Sequence, residues 1–214
     1  MSTPAAVIET RVVHDLHRRA TTLLADALDR PSSPVTDLVA LRDFVVAALD
    51  HHHRSEDTSL WPLIVAGAPE LAGPLGILSA EHESLDAHLD ALYAAPIDDG
   101  PCVLAAERAA AVRDLVHDHL AHEEPVLFPA LRDHISADAW YRFSAATVAS
   151  APAEGTDLLV ALLHEVGTDD ELEVIFQHLP DPARQALPAK RAQGTAVLAR
   201  LTSERVEPAV RRVR

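Results

Sequence analysis

His52-His53-Arg-Ser-Glu56-Asp57-Thr-Ser-Leu60-Trp61-Pro62 recurs 67 residues further on as His119-Leu-Ala-His-Glu123-Glu124-Pro-Val-Leu127-Phe128-Pro129. Both stretches read His-x3-Glu-acid-x2-Leu-aromatic-Pro. Four residues are about one turn of helix, so His52 lies over Glu56, and His119 over Glu123, on one helical face. Working outward, His14 and His82 stand 68 residues apart and precede the two stretches by 38 and 37 residues. The chain therefore reads as two copies of one helix pair. In each copy the first helix carries one histidine and the second a histidine and a glutamate.

Apolar spacing supplies those helices. Val12, Leu16, Leu23, Leu24 and Leu28 recur at helical intervals from Ala5 to about Asp29. Pro31, Ser32, Ser33 and Pro34 break the pattern. A second helix, capped by Thr36 or Asp37, runs to about Trp61 with Leu38, Leu41, Val45 and Leu49 on one face. Gly67 to Pro74 reads as a connection. A third helix covers about Leu75–Ala94, Pro96–Pro101 is a break, and a fourth covers about Leu104–Arg132. Pro62, Pro125 and Pro129 are expected to bend or end their helices shortly beyond the glutamates. The fold class expected is all-α, an up-down-up-down four-helix bundle with additional C-terminal helices. Residues 1–135 form the bundle and 136–214 a helical extension packed on it. In the extension, Ser136 caps a helix to about Ser150, and Thr156 or Asp157 opens one to about Val166. Asp169–His178 and Pro188–Leu201 suggest two more.

A near two-fold arrangement of these helices aims His14, His52, His82 and His119, with Glu56 and Glu123, at one point inside the bundle. Imidazole with carboxylate suits iron, and also zinc or manganese. Glu56 and Glu123 are placed to bridge two ions, the four histidines dividing two to each. His53, beside His52, is the next candidate ligand, and His17, one turn after His14, is the rival to His14. Asp57 and Glu124 are candidates to accept N–H bonds from the ligand imidazoles. Trp61 and Phe128 read as core. His51, His88, His117 and His122 read as surface or supporting groups, and His134, His164 and His178 as ordinary ones.

Val13-His14-x3-Arg18-Arg19, His52-x3-Glu56 with Trp61-Pro62, Glu81-His82-Glu83, and His119-x3-Glu123-Glu124 with Phe128-Pro129 together resemble the hemerythrin-like HHE family over about residues 8–135. The resemblance implies a four-helix bundle holding two non-haem iron ions, oxo- or hydroxo-bridged, that meet dioxygen, hydrogen peroxide or nitric oxide. Where the oxygen-carrying hemerythrins have a second histidine one turn after the third-helix ligand, this chain has Asp86. Two functions follow. One is catalase-like peroxide removal or related redox chemistry. The other is a non-enzymatic iron or oxygen sensor, or a store for a diatomic gas.

Composition narrows the remaining classes. Eighteen Lys and Arg against 33 Asp and Glu give a formal charge of −15, the opposite of a nucleic-acid footprint. Arg211, Arg212 and Arg214 read as a solvated end. A single cysteine, Cys102, allows no intrachain disulfide and fits a reducing compartment. Met1–Arg11 lacks the pattern of a signal peptide, and no apolar run approaches a membrane span. The expectation is a cytoplasmic monomer or homodimer with no nucleic-acid or membrane partner and no catalytic side chain beyond the metal ligands.

Overall fold

The computed structural model describes residues 3–30, 33–177 and 179–203, so Pro31, Ser32, His178 and the terminal arginines lie outside the described residues. All regular structure among the described residues is helical: α1 (Ala5–Leu28), α2 (Val35–Ser55), α3 (Trp61–Gly67), α4 (Ala72–Tyr93), α5 (Val103–His134), α6 (Ala137–Ser150), α7 (Thr156–Val166), α8 (Asp169–Phe176) and α9 (Asp181–Thr202). Helices α1, α2, α4 and α5 form the bundle, with α1 against α2 and α5, and α4 against α2 and α5. The helices after residue 135 pack on it, chiefly along α1 and α2.

The bundle core is split. One apolar cluster holds Leu16, Leu23, Leu41, Leu49, Leu92 and Leu120 and continues into α7 and α9. The other holds Leu60, Trp61, Ile64, Leu75, Leu127 and Trp140. Between them runs a belt of buried polar residues: His14, His53, Glu56, His82, His119 and Glu123. A polar layer across an apolar core is costly unless every group in it has a partner.

Several element boundaries differ from the sequence expectation, each for a local reason. The second helix does not stop at Trp61. Glu56–Leu60 forms one π-helical turn, in which the Trp61 N–H donates to the Glu56 carbonyl five residues back, and α3 then continues to Gly67. Pro62 follows directly on that π-helical turn, in the first turn of α3, so the irregular hydrogen bonding falls where its N–H is missing. Helix α5 runs through Pro125 and Pro129 to His134, so neither ends it. Most of the expected Gly67–Pro74 connection is helical, through a 3-10 turn at Pro69–Leu71 and the start of α4.

Helix α2 begins after Pro34, with neither Thr36 nor Asp37 as its cap. Asp37 instead accepts two hydrogen bonds from Arg200 of α9, at 2.6 and 2.9 Å. Ser136 does cap α6, its Oγ accepting from the Ala139 N–H at 3.2 Å. Gly155, at φ 73°, precedes α7, where a Cβ would strike Phe44. Helix α9 starts at Asp181, not Pro188. Pro182 lies in its first turn, and Pro188 is exposed within the helix.

Candidate metal centre

The six side chains singled out by the repeat all reach the polar belt, and the structure adds a seventh. Potential ligand atoms of His53, His82 and His119 form one group, and those of His14, His52, Glu56 and Glu123 a second, with all atoms of a group within 4.8 Å of one another. The carboxylates join the groups. Glu56 Oε2 is 3.6 Å from both His52 Nε2 and His82 Nε2. Glu123 Oε1 is 3.7 Å from His14 Nε2, while its Oε2 is 3.2 Å from His119 Nε2. The four histidines of the repeat therefore fall two to each group, and His53 makes one group three against two.

The unequal division comes from where the repeat fails. His53 corresponds in the second copy to Leu120, an apolar core residue. The second helix of one pair thus offers two adjacent imidazoles and that of the other a single one. His53 takes up its place through Asp86, whose carboxylate accepts from its Nδ1–H at 3.0 Å. Asp86 is the position at which the resemblance implied a missing histidine. Here it orients one supplied by α2.

Four histidines are held in the same way. His14 donates from Nδ1 to Glu124 at 3.1 Å, His82 to Asp57 at 3.0 Å and His119 to Glu81 at 2.8 Å, as His53 does to Asp86. A carboxylate accepts only, so the Nδ1 proton is fixed and the Nε2 face of each ring is turned inward. Asp57 and Glu124 thus do what the sequence suggested. Each copy of the repeat also braces the other. The acid after Glu56 holds His82 and the acid after Glu123 holds His14, while Trp61 stacks on His82 and Phe128 on His14, with centroids 6.1 and 5.9 Å apart.

Glu81 is the support that sequence reasoning missed. It accepts from His119, and also from exposed His122 at 3.1 Å. Its only signal was an acid beside His82, and it serves a histidine on another helix.

Electrostatics follow from burial. The His52 imidazole is pushed well below its ordinary range by burial and then by neighbouring imidazoles. Burial and His53 bring His82 to about 4. Burial, and then the Glu123 carboxylate, raise Glu56 well above the usual carboxyl range. Burial alone would raise Glu123 too, but His14 and His119 outweigh it. Burial opposes charge on His119 too, but Glu123 and Glu81 outweigh it and raise that ring. Imidazole nitrogens set beside carboxylates form a donor set for a cation.

The residues fit a metal on a second ground. His14 Nε2, His52 Nε2, Glu56 Oε2 and both Glu123 oxygens are buried without a hydrogen-bond partner. Each orphaned buried polar atom costs about 1–3 kcal/mol, and five in one layer call for a cation as their common partner. His82 Nε2 and His119 Nε2 lie 3.1 Å apart, near the ~3 Å separation of two nitrogens bound at right angles to one ion with bonds of about 2.1 Å.

The rest of the histidines do other work. His17 is buried, 4.8 Å from His52 between ring centroids, yet outside both ligand groups. Burial first, then His14, lower it to about 3. His51 pairs with Ser150, and half-buried His88 donates to the Ser84 carbonyl. A cavity of about 220 Å³ reaches the belt from the α6 side and touches His17, His52 and Glu56.

Among the described residues, no helix is long and apolar enough to cross a membrane. No curated protein and no solved structure matches the chain. The family model described as Hemerythrin HHE cation binding domain matches residues 9–131, more than half the chain and the whole of the belt. The chain belongs to the hemerythrin HHE cation binding domain family.

Proposed function

We propose that the belt holds two iron ions and that the protein uses them to consume hydrogen peroxide. His53, His82 and His119 would hold one ion, His14 and His52 the other, with Glu56 and Glu123 shared between them. The observation that carries this reading is that both carboxylates lie between the two histidine groups, with oxygens left unpartnered. Two irons supply the electron cycling that converts two peroxides into two waters and one dioxygen.

The chain's own residues set the conditions. Asp57, Glu81, Asp86 and Glu124 fix the ring orientations of four histidines. The two apolar clusters close the belt above and below and keep bulk water from it. The group with only two imidazoles includes His52 and Glu56, which line the cavity, so the more open position faces the route of entry. Binding of dioxygen or nitric oxide would use the same position. The single cysteine and the acidic charge accord with a cytoplasmic setting.

The test is oxygen release from iron-loaded protein mixed with peroxide. Repeated turnover, reduced at least tenfold in Glu123→Ala, is the expected result. A single stoichiometric spectral change without oxygen release would assign the chain to sensing or gas binding instead.

A further inference from the structure

The cavity beside the belt is larger than a diatomic gas or peroxide needs. Its volume is about 220 Å³, whereas a cavity of about 150 Å³ lined by apolar side chains is enough to hold benzene. Leu16 and Phe44 of the bundle form one wall. Trp140, Phe143, Leu159 and Leu163 of the C-terminal helices form the other. That second wall lies outside residues 9–131, so the cavity belongs to the extension as much as to the family bundle. Its rim passes exposed Ala151, Pro152 and Glu154, which gives it an entrance.

Polar groups gather at the inner end. His17, His52 and Glu56 line it, and Ser144 donates to Glu9 at 2.6 Å, both of them buried on the cavity wall. Imidazole and hydroxyl offer hydrogen-bonding partners to a neutral group. Glu9 and Glu154 line the cavity and, among its described lining residues, no Lys or Arg does, so nothing there offsets the cost of burying an anion between apolar walls.

We propose that this cavity binds one uncharged, mostly apolar organic molecule, about the size of a substituted benzene ring, whose single hydroxyl-type group meets His17 at the inner end. The molecule lies against the two-imidazole side of the belt. The two-iron reading bears only on what occupies that inner end. The binding site itself is made of protein.

The probes are 4-ethylphenol and 4-ethylbenzoate, titrated calorimetrically into the full chain. The expected result is saturable binding of one 4-ethylphenol per chain, with 4-ethylbenzoate at least tenfold weaker. Ala47→Phe from α2 and Thr147→Phe from α6 fill the space from opposite walls, and each is expected to weaken 4-ethylphenol at least tenfold. Absence of saturable binding, equal affinity for the two probes, or unchanged affinity in a folded filled variant overturns the proposal. If both variants fail to fold, the comparison of probes on the wild type decides. His119→Ala, which does not line the cavity, separates the two readings. It should lose metal and keep its affinity for 4-ethylphenol within twofold.

Discussion

At the residue scale, the centre is defined as much by the groups behind the histidines as by the histidines themselves. Glu81 donates nothing to the belt, yet it fixes the His119 ring by accepting from Nδ1. Glu81→Gln should therefore lower iron affinity about 10–100-fold while the helices remain intact, as measured by chelator competition alongside circular dichroism. The six residues of the repeat were legible because a duplicated spacing is improbable by accident. His53 was named only as a further candidate, and the role of Glu81 was not legible, for physical reasons. Adjacent residues on a helix point about 100° apart, so spacing alone does not say that His52 and His53 both face inward. Glu81 acts across to α5, and partners on different helices leave no trace in local spacing.

His17 gives a prediction on pH at the same scale. Its folded value is about 3 because burial disfavours the charged ring. The unfolded chain takes up that proton below about pH 6.5 and the folded chain does not, so its contribution to stability is lost as pH falls from there toward 3. In chain stripped of metal, His17→Leu should gain in melting temperature relative to wild type as pH is lowered from about 7 to 5. A constant difference across that range would contradict the assignment.

At the scale of elements, the helices and most of their order followed from apolar period and turn residues. The departures cluster at prolines. Pro62, Pro125 and Pro129 read as points where a helix bends or ends and Pro188 as the start of one, and all sit within or at the start of continuing helices. Sequence shows the missing N–H, but not whether a π-helical turn, a first-turn position or an exposed face absorbs the loss. Packing between α7 and α9 was also illegible, because its key residue is a glycine inside a helix. A Cβ on Gly194 would come within 2.0 Å of the Asp157 carbonyl oxygen and 2.7 Å of the Ala161 Cβ. Gly194→Ala should destabilise the chain by about 2 kcal/mol, overpacking outweighing the gain in helix propensity, as read by denaturant unfolding.

At the scale of the whole molecule, the extension and the bundle are tied by charge as well as by apolar contact. Arg200 meets Asp37, Arg19 meets Glu165 at 2.8 Å and Arg11 meets Glu171. These ties keep the extension against α1 and α2, the two helices that also form one wall of the cavity. Helices α6 and α7 thereby convert an open face of a four-helix bundle into a walled approach to its polar belt. Whether the belt holds two ions is decided by the iron content of the purified, iron-loaded chain in wild type, His119→Ala and Glu123→Ala. About two ions per wild-type chain, with substantial loss in both variants, is the result predicted from a shared donor set. Fewer than one ion in the wild type, or equal content in all three chains, would contradict it.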